Sequence, residues 1–436
     1  MTMFARLRGM LGEFSQILAL RLYAAAAGFA LTLLLGRLLG PAEYGAYVFA
    51  LSLLSFAVLF ATLGFHHFTI RALPPLMVAE KQSEAMGVVA YASVVVVVLS
   101  LATAIVAGSN TELFSASGPM QNAVAIGCLL LVPRALGLLR TGILQGLGHP
   151  VAGQVPDRLI EPTLILAVVC LWALQGWALD ARSVLLMTLA AIAASLILGA
   201  PSLRRAIIGI GARPSFGNLG GWTIGGVKSL LVFAAGTVLG ATDVVVLGLM
   251  STPEETGIYG VAIRFFFIMG LPFHAGAVYL SQRAAKLHAL GDREALGQVV
   301  EKAAIRTILS AVALAVPSTI LAFFVGQIFG AGFAPAGAVI LVLVWTRVGL
   351  AFFGEPSALL AATQHVGRVS IFMGLAATLN IGLNIILVGP FGAMGAAIAT
   401  VLSFCALTAA LTLSVRSLLG IRVFYGRRLV GLGSRP

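Results

Sequence analysis

Charge is scarce in this chain, and acidic charge most of all. Its 436 residues hold 15 Asp and Glu against 27 Lys and Arg, so only 10% are charged while 60% are hydrophobic. A soluble globular domain carries about 25% charged residues, and this composition excludes one. Cysteine is nearly absent. Cys128, Cys170 and Cys405 all fall inside apolar runs, which excludes a disulfide framework and makes them reduced packing residues. His66, His67, His149 and His365 have no carboxylate or cysteine companions at metal-ligand spacing, so no metal is expected. Gly209-Ile210-Gly211-Ala212-Arg213 lacks the Lys-Ser/Thr of a nucleotide phosphate loop. The short segments of alternating polarity that mark a transmembrane β-barrel are missing too. So is a small-residue cleavage site after the first apolar run near Ile17, so no cleavable signal peptide is expected.

What is present is a series of apolar runs of about 20 residues, the length that crosses hydrocarbon as a helix. They predict an all-α polytopic membrane protein with spans near 17–39, 44–65, 85–107, 121–142, 157–176, 183–201, 227–249, 257–280, 303–325, 336–360, 368–388 and 394–415. Twelve spans put both termini on one side. All but four of the 27 basic residues fall on that side; Arg37 and Arg182 lie opposite, and Arg264 and Arg347 lie inside spans. Basic loops mark the cytoplasm, so both termini are expected there, with the basic residues facing anionic lipid rather than nucleic acid. Residues 281–302 mix Arg283, Lys286 and Arg293 with Leu287, Leu290 and Leu296, and predict one interfacial helix continuing from the membrane.

Shifting the chain by 212 residues lays Pro41-Ala42-Glu43-Tyr44-Gly45-Ala46-Tyr47 over Pro253-Glu254-Glu255-Thr256-Gly257-Ile258-Tyr259, and Arg71-Ala72 over Arg283-Ala284. Each half holds six spans, so the halves share one orientation, as parallel repeats do. The expected organisation is a six-helix lobe over 1–201, a cytoplasmic linker over 202–226, a second six-helix lobe over 227–415 and a basic tail over 416–436. Glycines 217, 220, 221, 225 and 226 make the linker either a hinge or a plain entry loop.

Gly36-Arg37-Leu38-Leu39-Gly40-Pro41-Ala42-Glu43-Tyr44-Gly45 resembles the loop signature of polysaccharide-exporting flippases of the multidrug/oligosaccharidyl-lipid/polysaccharide superfamily. Asp243 to Gly248, Gly257 to Ala262, Phe329-Gly330 with Phe333 to Ala336, and Gly392 to Ala397 fit the same pattern in order and spacing. The resemblance implies two six-helix lobes working by alternating access on an anionic lipid-linked oligosaccharide, with undecaprenyl pyrophosphate as the expected carrier. It implies the bacterial inner membrane and a role in lipopolysaccharide or exopolysaccharide synthesis, with a glycan polymerase and chain-length regulator as partners. It implies no enzyme and no cofactor, while coupling to Na⁺ or H⁺ stays open. Physically, Gly40-Pro41 forces a tight turn and Gly45 lets the second helix start close to a neighbour. Arg37 either caps its own helix while reaching the outer headgroups or touches substrate.

The intramembrane charges are the candidate site. Asp243 and Arg264 lie ten residues before and eleven after Pro253 in successive antiparallel helices, so their depths match and a coupling or structural pair is expected. Arg347 lies nearer mid-membrane, with Glu355 two turns on, too far for contact along one straight helix. Arg134 occupies the equivalent span of the first half. Guanidinium groups bind phosphate bidentately, so Arg134, Arg264 and Arg347 are the expected phosphate-binding set, with Arg134 and Arg347 facing each other across the lobes. Asn380 and Asn384, one turn apart, predict hydrogen bonds between helices. A cation-coupled multidrug exporter of the same superfamily is the alternative; it calls for buried acids, and the first four spans have none. A membrane enzyme would need a long external loop bearing acids and bases, and every external loop is short.

Overall fold

A computed structural model describes residues 3–111 and 118–421, and the described residues are almost wholly helical. The helices are α1 (Met3–Thr62), α2 (Phe65–Val78), α3 (Gln82–Ser109), α4 (Gly118–Gly146), α5 (Pro150–Val155), a π-helical turn (Pro156–Ile160), α6 (Glu161–Leu174) and α7 (Ala181–Ile210). They continue with α8 (Leu219–Met250), α9 (Pro253–Ile268), α10 (Leu271–Ala289), α11 (Arg293–Phe323), α12 (Val325–Phe329), α13 (Ala336–Ala351), α14 (Pro356–Ala362) and α15 (Val366–Leu419).

Among the described residues, eight helical stretches are long and apolar enough to cross a membrane, and α13 with α14 forms a ninth, bent by 45°. Two of the eight are each a pair of spans joined at a glycine: α1 reverses at Gly40 (φ 73°) and α15 at Gly392 (φ 52°). The run from α5 through the π-turn to α6 supplies the remaining span, giving the expected all-α architecture of about twelve spans.

Local chemistry sets the helix ends. Asp180, Thr252 and Asp292 each accept a backbone N–H three residues on, starting α7, α9 and α11. Pro253 occupies the first turn of α9, where its missing N–H costs nothing. The single interfacial helix expected over 281–302 is not found. Gly291 turns the chain at φ 70° and Asp292 caps a new helix, so the segment is the end of α10, a tight turn and the start of α11. Residues 202–226 comprise the end of α7, an irregular stretch with a turn and the start of α8. Most of the expected basic tail lies outside the described residues.

The chain forms two compact units: Met1–Leu39 with Ala46–Thr237, and Gly40–Gly45 with Val238–Pro436. The first has a core of Phe65, Leu73, Val88, Val96, Leu130, Leu139 and Trp222. In the second, the two copies of the repeated loop pack on each other reciprocally. A Cβ on Gly45 would strike the carbonyl of Pro253, and one on Gly257 would strike the carbonyl of Pro41. Both glycines of the repeat are therefore required by close backbone approach.

Candidate functional site

Asp243 lies in α8, 2% exposed, at the centre of a buried polar cluster in the second unit. Tyr259 donates its hydroxyl to Oδ2 at 2.5 Å, and Thr400 does so at 2.5 Å. The amides of Asn384 and Asn380 donate to Oδ1 at 2.7 and 3.1 Å. The residues come from α8, α9 and both arms of α15, and none of the four partners is more than 1% exposed.

Arg264 is not among these partners, so the expected Asp243–Arg264 pair does not form. Depth matches, but direction does not. Tyr259 points at Asp243, and Arg264, five residues on, is rotated by about 140° around α9. Arg264 is half-buried and makes no hydrogen bond or ion pair among the described residues. Asn380 and Asn384 do bond between helices, as expected. Tyr259, visible only as part of the repeat, proves to be a ligand of the carboxylate.

The side-chain oxygens of Asn380 and Asn384 and the hydroxyl of Thr242 are buried without a protein partner. Turning the two amides by half a rotation would present their oxygens beside the carboxylate, at the loss of the 2.9 Å bond that the Asn384 amide also donates to the Asn380 carbonyl. One carboxylate, two amide oxygens and the Thr400 hydroxyl form an all-oxygen set suited to a hard cation.

The second cluster lies in the first unit at the π-turn. Arg134 Nη1 bonds both carboxylate oxygens of Glu161, at 2.7 and 2.9 Å. Arg140 joins Asp157 at 2.5 Å and donates to the Ser195 carbonyl at 2.9 Å. Thr141 adds a 2.7 Å bond to Asp157. A π-turn places an extra residue in the helical circuit and is frequent at functional positions. Arg158, within this turn, lies in the field of Arg21, Arg134 and Asp157. The two acids are held by Arg134 and Arg140, so Arg21 and Arg158 leave the cluster with positive charge. Both belong to the basic residues that the sequence places on the cytoplasmic side, near span ends.

Arg347 of α13 is surrounded by rings. Its guanidinium carbon lies 3.9 Å from the Phe266 centroid, 5.0 Å from Phe404 and 5.3 Å from Phe273. Such faces attract a cation by about 0.5–2 kcal/mol each. Its Nε is buried without a partner. Arg37 is exposed near the end of the first span and makes no hydrogen bond among the described residues. Gly40 and Pro41 make the turn, and Gly45 the close approach, as expected.

A cavity of about 690 Å³ in the first unit is lined by Phe56, Phe60, Val106, Cys128 and Leu131, and offers no charged group. The described residues hold no group of three or more His, Cys, Asp or Glu side chains arranged for a metal ion.

Residues 34–146 match the family described as "Polysaccharide biosynthesis protein", a stretch that includes the Gly40-Pro41 turn, Arg134 and Arg140. The chain is 25% identical over 231 residues to the probable low-salt glycan biosynthesis flippase Agl15 of Haloferax volcanii, covering 52% of this chain and 47% of that protein. The match thus spans about half the length of that curated relative. The lipid II flippase MurJ in an inward closed conformation superposes with a TM-score of 0.72 at 17% identity, over 91% of this chain and 87% of MurJ. An inward-facing multidrug resistance MATE family transporter of the MOP superfamily gives 0.69 at 15% identity, over 91% and 94%. At these identities the likeness shows a shared fold alone. The resemblance drawn from the loop motifs holds, and these relatives are transporters and flippases rather than enzymes.

Proposed function

We propose that this chain flips an anionic lipid-linked oligosaccharide, with undecaprenyl pyrophosphate as carrier, across the bacterial inner membrane by alternating access, in surface polysaccharide synthesis. Both termini lie in the cytoplasm, where the basic loops gather. A glycan polymerase and its chain-length regulator take the product on the far side.

The observation that carries this reading is the arginine cluster at the π-turn. Arg134 is held in a span by Glu161 at 2.7 Å, beside the unpaired Arg21 and Arg158. A pyrophosphate entering this cluster competes with Glu161 for the Arg134 guanidinium, exchanging one anion for another at little desolvation cost. Arg264, without a partner, is the candidate for a second phosphate contact. The oxygen cluster at Asp243 takes up Na⁺, which replaces the hydrogen bonds of the two asparagine amides with coordination by their oxygens and couples the cycle to a cation gradient.

The test is reconstitution of the full chain in liposomes with defined undecaprenyl-pyrophosphate sugars, with flipping read by external accessibility. Flipping that is lost in Arg134→Ala and Arg264→Ala supports the reading. The second reading, a cation-coupled multidrug exporter, is favoured by the fold shared with the MATE transporter. Against it, the acids nearest the first lobe's charges, Asp157 and Glu161, are already neutralised by arginine. Uptake of organic cations without flipping of any lipid-linked sugar would establish that second reading and overturn the first.

A further inference from the structure

We propose that Glu355 is a proton-binding site of the second unit, taking up and releasing a proton in a small polar space beside Gly276, with Thr307 as its hydrogen-bond partner and Arg347 as the counter-charge of its ionised form.

The sequence places Glu355 two helical turns beyond Arg347. The structure breaks the helix between them. α13 ends at Ala351, Gly354 adopts φ 64°, and α14 starts at Pro356 after a 45° bend. This break turns Glu355 inward, where it is 7% exposed. There it meets α10 and α11. A Cβ on Gly276 would stand 3.7 Å from Glu355 Oε1 and would collide with the Thr307 hydroxyl. Glycine at 276 therefore keeps a space that both polar groups border.

Neither group is satisfied by the protein. Glu355 Oε1 and Thr307 Oγ1 are buried without a hydrogen-bond partner. Thr188 and Thr363, by contrast, donate to the carbonyl four residues back, the usual resting place of a buried helical threonine. The Thr307 hydroxyl is not so engaged. Arg347 also keeps a buried Nε without a partner and forms no ion pair with Glu355, while its charge acts on that carboxylate. Of the elements packed here, α10 brings Gly276, α11 Thr307 and α13 Arg347, and no other charged group among the described residues is found to act on Glu355.

These groups select a proton over a metal cation. A sodium ion wants several oxygens, and a guanidinium nearby repels it; a proton needs one carboxyl oxygen. In the protonated state the carboxyl O–H donates to Thr307 Oγ1, and Arg347 is left to its three phenylalanine rings. When the proton passes to water, the carboxylate accepts from Thr307 and faces the Arg347 charge. The site is separate from the Asp243 cluster, and its protonation does not depend on which molecule the chain carries.

The test is infrared difference spectroscopy of the full chain in lipid, acidified stepwise, with carbon-13 label in glutamate. The expected result is a carboxylic-acid C=O band that appears on acidification, shifts with the glutamate label, persists in Asp243→Asn and is absent from Glu355→Gln. If Glu355→Gln does not fold, Glu355→Asp serves, because it moves the band out of the glutamate-labelled set. Thr307→Val should keep the band and shift its frequency. A glutamate band unchanged in the Glu355 variants overturns the proposal, and a band unmoved in Thr307→Val removes Thr307 from it.

Discussion

Replacing Asp243 by Asn separates the two things this carboxylate does. Asn has the same shape, so Oδ1 can still accept from Asn380 and Asn384, now 3.1 and 2.7 Å away. On the other side the new amide must donate, and the Tyr259 and Thr400 hydroxyls can rotate to accept. All four charge-assisted hydrogen bonds become neutral ones, but an ion buried in the membrane is removed. These effects oppose each other, so in cation-free buffer the variant should lie within about 2 kcal/mol of the native chain. The cation response should differ far more. A ligand present at 100 times its Kd stabilises the folded state by about 2.7 kcal/mol. Scaled by chain length, this raises Tm by about 3 °C if the whole chain unfolds as one, or about 6 °C if the second unit unfolds alone. The assay is Tm in sodium chloride against N-methylglucamine chloride at equal ionic strength. The native chain should show the rise and Asp243→Asn should show none. A native chain indifferent to sodium, or a variant that still responds, would refute a cation site at Asp243.

Other substitutions probe the scaffold. Gly257→Ala and Gly45→Ala each drive a Cβ into a backbone carbonyl and should cost about 1–3 kcal/mol, whereas Gly374→Ala, in open space, should not destabilise; denaturation midpoints decide. Arg134→Ala strands Glu161, which is 8% exposed, and should cost about 2 kcal/mol given the partial exposure of the arginine, while adding Glu161→Gln should restore part of it. Beyond the second span, burial and the neighbouring charge of His67 lower His66 from 6.5 to about 3, and burial and Arg71 lower His67 to about 4. Both are neutral in the folded protein, while the unfolded chain binds protons below about pH 6.5. Stability should therefore hold above that pH and decline from 6.5 toward 4, and Tm measured against pH should flatten in a His66→Gln, His67→Gln double variant.

Much of the fold was legible because hydrocarbon imposes a simple rule: backbone groups must be satisfied within a helix, so length and hydropathy reveal the spans. Glycine and proline at 40–41 and 390–392 marked where α1 and α15 double back. The site was legible in one coordinate only. Depth can be counted along a helix, and it put Asp243 level with Arg264, but the direction around the helix chose Tyr259 instead. Asn380 and Asn384 were legible as one face because they are four residues apart, yet nothing local named Asp243 as their acceptor. The cage around Arg347 draws on α9, α10 and the second arm of α15, a tertiary meeting that no spacing encodes. Gly354 and Pro356 were visible, but reading the span as straight kept Glu355 away from its neighbours.

The repeat makes two of the intramembrane arginines comparable, since Arg134 and Arg347 occupy the fourth span of their respective halves. Each lodges a cation at membrane depth, and each is stabilised differently. Arg134 is held by a carboxylate, an anion that another anion can displace with little net change in burial. Arg347 lies against three ring faces, which attract the cation but leave its N–H edge, including the unpartnered Nε, open to an anion. Arg134 is thus already paired with its anion, whereas the acid that feels the Arg347 charge is Glu355. The expected phosphate set of Arg134, Arg264 and Arg347 divides accordingly. Under the proposed function Arg134, with Arg21 and Arg158, meets the cargo in the first unit, while under the proton proposal Arg347 serves the charge state of Glu355.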